Sequence, residues 1–154
     1  MATIRDATFP DDLDTVRALL REYAESLPVD LEFQDFEAEV ATLPGKYARP
    51  HGRLLLAYDD DRVLGCIGLR ALSGTDCEMK RLYVRDAHRG LGIGRKLLDH
   101  LLDEAQRAGY SEICCDTMAF MEAAQRMYLA AGFELTGPYS DDPTPGAVFF
   151  RLPL

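Results

Sequence analysis

No uninterrupted apolar run in the chain approaches the about 18 residues that a membrane-spanning helix needs, so an integral helical membrane protein is not expected. The opening residues Met-Ala-Thr-Ile-Arg-Asp have no signal-peptide character, and a cytoplasmic location is expected. Cysteine is sparse and unpatterned. Cys66, Cys77, Cys114 and Cys115 lie in apolar, strand-like runs, no C-x-x-C pair occurs, and the adjacent Cys114 and Cys115 point to opposite faces of a strand. Buried, reduced thiols are expected, rather than a disulfide framework or a metal site. Basic residues are outnumbered, 17 against 26 acidic, which leaves a net charge of −9. That deficit argues against a general nucleic-acid binder and favours cationic substrates through long-range attraction.

No linker, repeat or low-complexity segment divides the chain, so residues 1–154 are expected to form one domain with a single good core. Hydrophobic residues make up 47% and charged residues 28%, an ordinary globular balance. The chain is organised around residues 78–109. Leu82, Tyr83 and Val84 are strand formers, and Asp86, His88 and Arg89 interrupt the apolar pattern. After Gly94, residues Leu97, Leu98, Leu101, Leu102, Ala105 and Ala108 recur at helical spacing, and Gly109 stands where a left-handed C-cap belongs. A glycine-rich turn that opens a helix is an anion cradle. Its N–H groups are unpaired, the helix dipole adds partial positive charge, and the missing side chains admit a phosphate.

The spacing narrows the anion. A Walker loop needs Gly-Lys-Ser/Thr, whereas Gly94 is followed by Arg95-Lys96-Leu97. A dinucleotide fingerprint needs a third glycine where Leu97 stands, which disfavours a nicotinamide enzyme.

Elsewhere, residues 3–7 read as a strand. A helix begins at Pro10-Asp11-Asp12 with an Asp as its cap, and Leu13, Val16, Leu20, Tyr23, Ala24 and Leu27 form its apolar face. Phe33, Phe36, Val40 and Leu43 outline a weaker helix over 31–43. Residues 53–58 and 63–72 form a hairpin around a charged turn, and a strand carrying Glu78 follows. After the long helix come a buried strand over 111–116, a helix over 121–131 and strands over 133–136 and 147–152. Strand, crossover helix and strand in succession imply a right-handed parallel unit. Met118 and Met121 are read as core, with the lining of a substrate pocket as the alternative, the three histidines as surface residues, and Asp141-Asp142 as part of a solvated loop.

Arg89-x-x-Gly92-x-Gly94 resembles the acetyl-CoA signature of the GNAT N-acetyltransferase superfamily. Ala124-Gln-Arg-Met127-Tyr128-Leu-Ala-Ala-Gly132-Phe133 resembles that family's A-x-x-L-Y-x-x-x-G-F helix, with Met127 in place of Leu. Met121 departs from the family by standing where many members carry Asn. The resemblance implies a single-domain α/β GNAT fold, with a central mixed β-sheet of about seven strands flanked by about four helices. It implies acetyl-CoA as co-substrate, no metal, and as acceptor a primary amine of a small molecule or peptide. The acidic balance and the lack of a long apolar run favour a small-molecule amine and argue against nucleic acid and membrane as partners. A homodimer is a further option.

Residue by residue, the resemblance makes the backbone of Leu82 and Val84 the partner of the pantetheine arm, with an N–H near Leu82 polarising the thioester carbonyl. Arg89, Gly90, Leu91, Gly92, Ile93 and Gly94 hold the pyrophosphate, and Arg95 adds charge at its edge. Tyr128 protonates the departing thiolate. Glu78, eleven residues before Arg89, takes the proton of the acceptor amine, directly or through water. The alternative is a non-catalytic acyl-CoA or nucleotide-binding module of the same fold, which would need neither Glu78 nor Tyr128. Residues 139–146 are expected to overhang the acceptor.

Overall fold

The computed structural model describes residues 2–28, 35–140 and 143–154. Strand β1 (Thr3–Asp6) leads into helix α1 (Leu13–Ser26), with Asp12 at the N-cap position as expected. The Asp12 carboxylate makes no cap hydrogen bond, however. It accepts from the Thr8 N–H at 2.7 Å and pairs with Arg5 at 2.8 Å, because a charge-assisted bond outcompetes a neutral helix N–H. The Arg5 hydrogen bond, more than any other contact, holds the Asp12 carboxyl below its ordinary range.

Helix α2 (Phe36–Ala41) is shorter than the expected span, and Phe33 lies outside the described residues. Phe36 and Val40 are buried as the pattern requires. Strands β2 (Arg53–Asp59), β3 (Arg62–Ala71) and β4 (Asp76–Val84) form an antiparallel meander. Helix α3 (Ile93–Arg107) crosses to β5 (Glu112–Met118), and α4 (Glu122–Ala130), β6 (Glu134–Thr136) and β7 (Ala147–Pro153) complete the chain. The sheet has seven strands in the order β1-β2-β3-β4-β5-β7-β6. Among the described pairings only β4 with β5 is parallel.

The helices cover both faces. On one face Leu97, Leu98 and Leu101 of α3, all fully buried, pack with Ile67 and Leu69 of β3 and Ile113 of β5. Burying each leucine contributes roughly 1.5–3 kcal/mol, so this interface fixes the position of α3 and of the turn before it. On the other face Val16, Leu19 and Leu20 of α1 pack with Phe36 of α2 and with Leu54, Leu56 and Cys66 of the sheet. All four cysteines are buried and unpaired, as expected. No helix among the described residues is long and apolar enough to cross a membrane.

Two irregularities shape the centre of the sheet. The parallel ladder runs Asp76↔Glu112, Cys77↔Ile113 and Glu78↔Cys114 and then ends, although β4 continues to Val84 and β5 to Met118. Beyond Glu78 the two strands part, while β5 stays paired with β7 as far as Met118↔Ala147. The second irregularity is a bulge in β4. Cys66 faces Tyr83 and Gly68 faces Lys80, which leaves Arg81 and Leu82 against Ile67 alone. Arg81 takes φ 62°, a left-handed conformation that costs a non-glycine residue on the order of 1–2 kcal/mol. It is held there by a two-point bond to Glu39 of α2, at 2.9 and 3.0 Å, with the rings of Phe36 and Tyr23 against its guanidinium.

Candidate active site

The gap between the diverging halves of β4 and β5 is the candidate active site. Its cavity is lined by Leu82 of the bulge, by Lys80, Asp116 and Tyr128, and by Met118 and Met121. The two methionines therefore line a cleft, the alternative to the core reading of them. Met118 ends β5, on whose β4 side the ladder has already ended, and Met121 caps α4. The facing edges of β4 and β5 lie outside any ladder there, and such edges are a template for an extended ligand.

At the C-terminal end of β4 the chain turns through Asp86–His88 into the glycine segment and α3. Gly90 and Gly92 take φ +81° and +78°, so glycine is required at both by backbone conformation. Nothing lies within 4 Å of where a Cβ would stand at either residue. The turn is thus open on the side where a side chain would project. Gly92 is the N-cap of α3, and the first helical bond is donated by the Lys96 N–H to its carbonyl at 3.1 Å. The N–H groups of Ile93, Gly94 and Arg95 precede that bond and belong to the free first turn. Arg89 is exposed and donates to the Val84 carbonyl at 2.9 Å, which fastens the cradle to the end of β4. Arg95 is engaged with Asp99 one turn on, at 2.9 Å. His88, read as a surface residue, is half-buried at the start of this turn.

Tyr128 reaches the cleft from α4. Its ring packs against Phe133 and Phe150, with centroids 5.7 and 5.5 Å away, and the residue is 4% exposed. Burial pushes the phenol well above its ordinary range, so at neutral pH it carries its proton.

Glu78 sits where the strands begin to part, and it is 4% exposed. Its Oε1 accepts from Arg70 Nε at 2.9 Å and pairs with Arg70 Nη2 at 2.8 Å. Its Oε2 accepts from the Tyr139 hydroxyl at 2.7 Å. Arg70 stands opposite Glu78 on β3, and Tyr139 comes from the loop before β7. A second cavity of about 200 Å³ lies over this group. It shares Lys80, Arg81, Asp116 and Thr144 with the cleft, so the two meet at those residues. Lys80 Nζ is 4.0 Å from Asp116 Oδ1, and burial pulls the Lys80 ammonium below its ordinary range. Thr144 and Tyr139 bring the 139–146 loop over the cavity, while Asp141 and Asp142 lie outside the described residues.

Sequence reasoning had named the cradle, Leu82, Tyr128 and Glu78; Leu82 and Tyr128 line the cleft, Glu78 lines the adjoining cavity, and the cradle lies in the turn that follows β4. It had not singled out Arg70, Asp116 or Tyr139. Arg70 had a readable signal, a lone cation late in an apolar strand. The other two are brought in by tertiary register alone. Among the described residues no group of three His, Cys, Asp or Glu side chains is arranged to hold a metal ion.

Similarity to known proteins agrees with this geometry. An uncharacterized N-acetyltransferase of Schizosaccharomyces pombe is 38% identical over 154 residues, covering 99% of this chain and 94% of the relative. A crystal structure of an acetyltransferase from Streptococcus agalactiae superposes with a TM-score of 0.81 at 18% identity, covering 99% of this chain and 98% of the other. A Salmonella typhimurium acetyltransferase solved with its cofactor acetyl-CoA superposes with a TM-score of 0.72 at 24% identity, covering 99% and 93%. The acetyltransferase (GNAT) family profile matches residues 13–133, and with the parted β4 and β5 strands and the glycine turn before α3, this chain belongs to that family.

Proposed function

We propose that the protein transfers the acetyl group of acetyl-CoA to the primary amine of a small molecule by direct attack in a ternary complex. The observation that supports this reading is the order of features along β4 and its exit: the Glu78 carboxylate beside the cavity, the unpaired edge at Leu82 on the cleft that Tyr128 also lines, and the open glycine turn before α3. The residues present fit acetyl-CoA as co-substrate. Gly90 to Gly94 and Arg89 would hold the pyrophosphate, with Arg95 at its edge, and the edge at Leu82 and Val84 would pair with the pantetheine arm. The S. typhimurium relative solved with acetyl-CoA supports that donor.

The chemistry needs three services from the chain. An ammonium has no lone pair, so Glu78 takes one of its protons, directly or through water. The freed nitrogen attacks the thioester carbonyl, whose oxygen is polarised by the N–H near Leu82. A C–N bond forms and the C–S bond breaks with its electron pair going to sulfur. Tyr128 protonates that thiolate and is itself restored by the second proton the nitrogen loses as the amide forms. The first proton leaves Glu78 for solvent, which balances the reaction.

Free-thiol release from acetyl-CoA across a panel of primary amines tests the reading. Amine-dependent release is expected, and Glu78→Gln should lower kcat by about 10²–10⁴-fold with unchanged acetyl-CoA affinity. Amine-independent thiol release alone would leave a thioester hydrolase instead.

A further inference from the structure

In this structure the base assigned above is held by two partners. Both Glu78 oxygens are occupied, Oε1 by the Arg70 guanidinium and Oε2 by Tyr139. Oε1, which takes two Arg70 N–H groups, has no lone pair left for a proton until Arg70 is drawn off, whereas Oε2 keeps one beside the Tyr139 hydroxyl. Tyr139 is pinned by its ring against Phe149, with centroids 5.6 Å apart. Arg70 can be reached from solvent, with 28% of its side chain exposed. It also stands between two spaces, lining the cavity of about 200 Å³ beside Glu78 and one of about 400 Å³ on its other side.

We propose that the acceptor is an amine carrying a carboxylate close to its amino group, an amino acid, and that Arg70 is the residue that receives that carboxylate. The inference rests on the acetyltransferase reading. A guanidinium fork matches a carboxylate in two-point geometry. As the acceptor's carboxylate takes over the Arg70 N–H groups, Oε1 of Glu78 is released beside the amine it must deprotonate. Binding of the correct acceptor thereby arms the base, and an amine without a carboxylate leaves Glu78 tied to Arg70.

The charges around the cavity fit. Among the described residues its wall carries Arg70, Lys80 and Arg81 against Glu78 and Asp116, a cationic balance in a chain whose net charge is −9. Asp116 stands at the junction with the acetyl-CoA cleft, where the ammonium end belongs. Arg70 stands on the outer side, where the carboxylate end belongs. This locates the selectivity in local geometry, against the cationic acceptors that net charge alone favours.

Matched triplets test it: a set of L-amino acids, their amides, and their decarboxylated amines, each assayed for CoA release from acetyl-CoA. The amino acids are expected to exceed their amides in kcat/KM by about 10- to 100-fold, the range of one charge-assisted hydrogen-bonded contact. Part of that difference should appear in kcat, because the amide leaves Glu78 engaged. In Arg70→Gln the acid-to-amide ratio should fall toward one while calorimetric affinity for acetyl-CoA holds. In Arg70→Lys, which keeps the charge without the fork, part of the ratio should survive. Amides or decarboxylated amines used as well as the amino acids by the native protein would overturn the acceptor class and leave the acetyltransferase reading standing. A preference for the acid that survives Arg70→Gln undiminished would overturn the role of Arg70. Acetyl-CoA binding without CoA release for any of these or other amines would bring down both readings together.

Discussion

Replacing Gly92 with valine separates the cradle from the fold. Gly92 has φ +78° at the N-cap of α3, and no atom lies within 4 Å of the position a Cβ would take. The folded state therefore suffers no clash. It suffers backbone strain, on the order of 1–2 kcal/mol for an L residue in the left-handed region, with a further penalty for a β-branched side chain. Against a total stability of about 5–15 kcal/mol the protein stays folded, with a melting temperature lowered by roughly 2–8 °C. Binding should suffer far more. The new side chain fills the open side of the turn, and relaxing φ turns away the N–H groups of the first helical turn. Losing two charge-assisted hydrogen bonds of about 1.5–3 kcal/mol each weakens CoA by about 10²–10⁴-fold. Isothermal titration with CoA, alongside a thermal melt, reads both quantities. Gly74→Ala, also in open space but in the β3–β4 turn, should leave CoA affinity unchanged. A folded Gly92→Val protein with native CoA affinity would refute the cradle.

Tyr128→Phe should keep acetyl-CoA affinity and lower turnover by about 10²-fold, the low end for general-acid catalysis, because a thiolate is a tolerable leaving group. Full activity in single-turnover measurements would make Tyr128 a core aromatic. Leu101→Ala removes a fully buried side chain from the α3 interface and should cost about 2–5 kcal/mol in chemical denaturation. A cost below 1 kcal/mol would contradict the packing described. Burial pushes the Cys66 thiol from 9.0 up to about 12. A raised pKa means the folded state holds its proton longer than the unfolded chain, so this contribution is intact below pH 9 and lost as pH rises toward about 12. Cys66→Ala should make the stability profile flatter between those limits. An unchanged slope would remove Cys66 as a cause of alkaline unfolding.

What could be read in the sequence was what is local. The turn at Gly90 and Gly92, the amphipathic face of α3 and its stop at Gly109 are set by residues within a few positions of one another, and the structure reproduces all three. The parallel unit followed from element order, since α3 is too long to be a hairpin connection. Non-local features were illegible. The parting of β4 and β5 after Glu78 appears only once the register is known, and so does the bulge that gives Arg81 its φ of 62°. That Glu78 would pair with a cation was foreseeable, but not which one, because its partners Arg70 and Tyr139 lie 8 and 61 residues away. Asp12 shows the same limit at short range. Its position as cap was legible, while its actual partner, Arg5, depended on how β1 packs beside α1.

The central claim is that one cleft brings an acetyl thioester and an amine together for direct transfer. Carbon-13-labelled acetyl-CoA, incubated with the protein and a mixture of amino acids and other primary amines, tests it by mass spectrometry. The account predicts that the label appears on nitrogen of an added amine, in amounts equal to the CoA released, and that none stays on the protein. Label retained on a protein side chain, or released only as acetate, would contradict it.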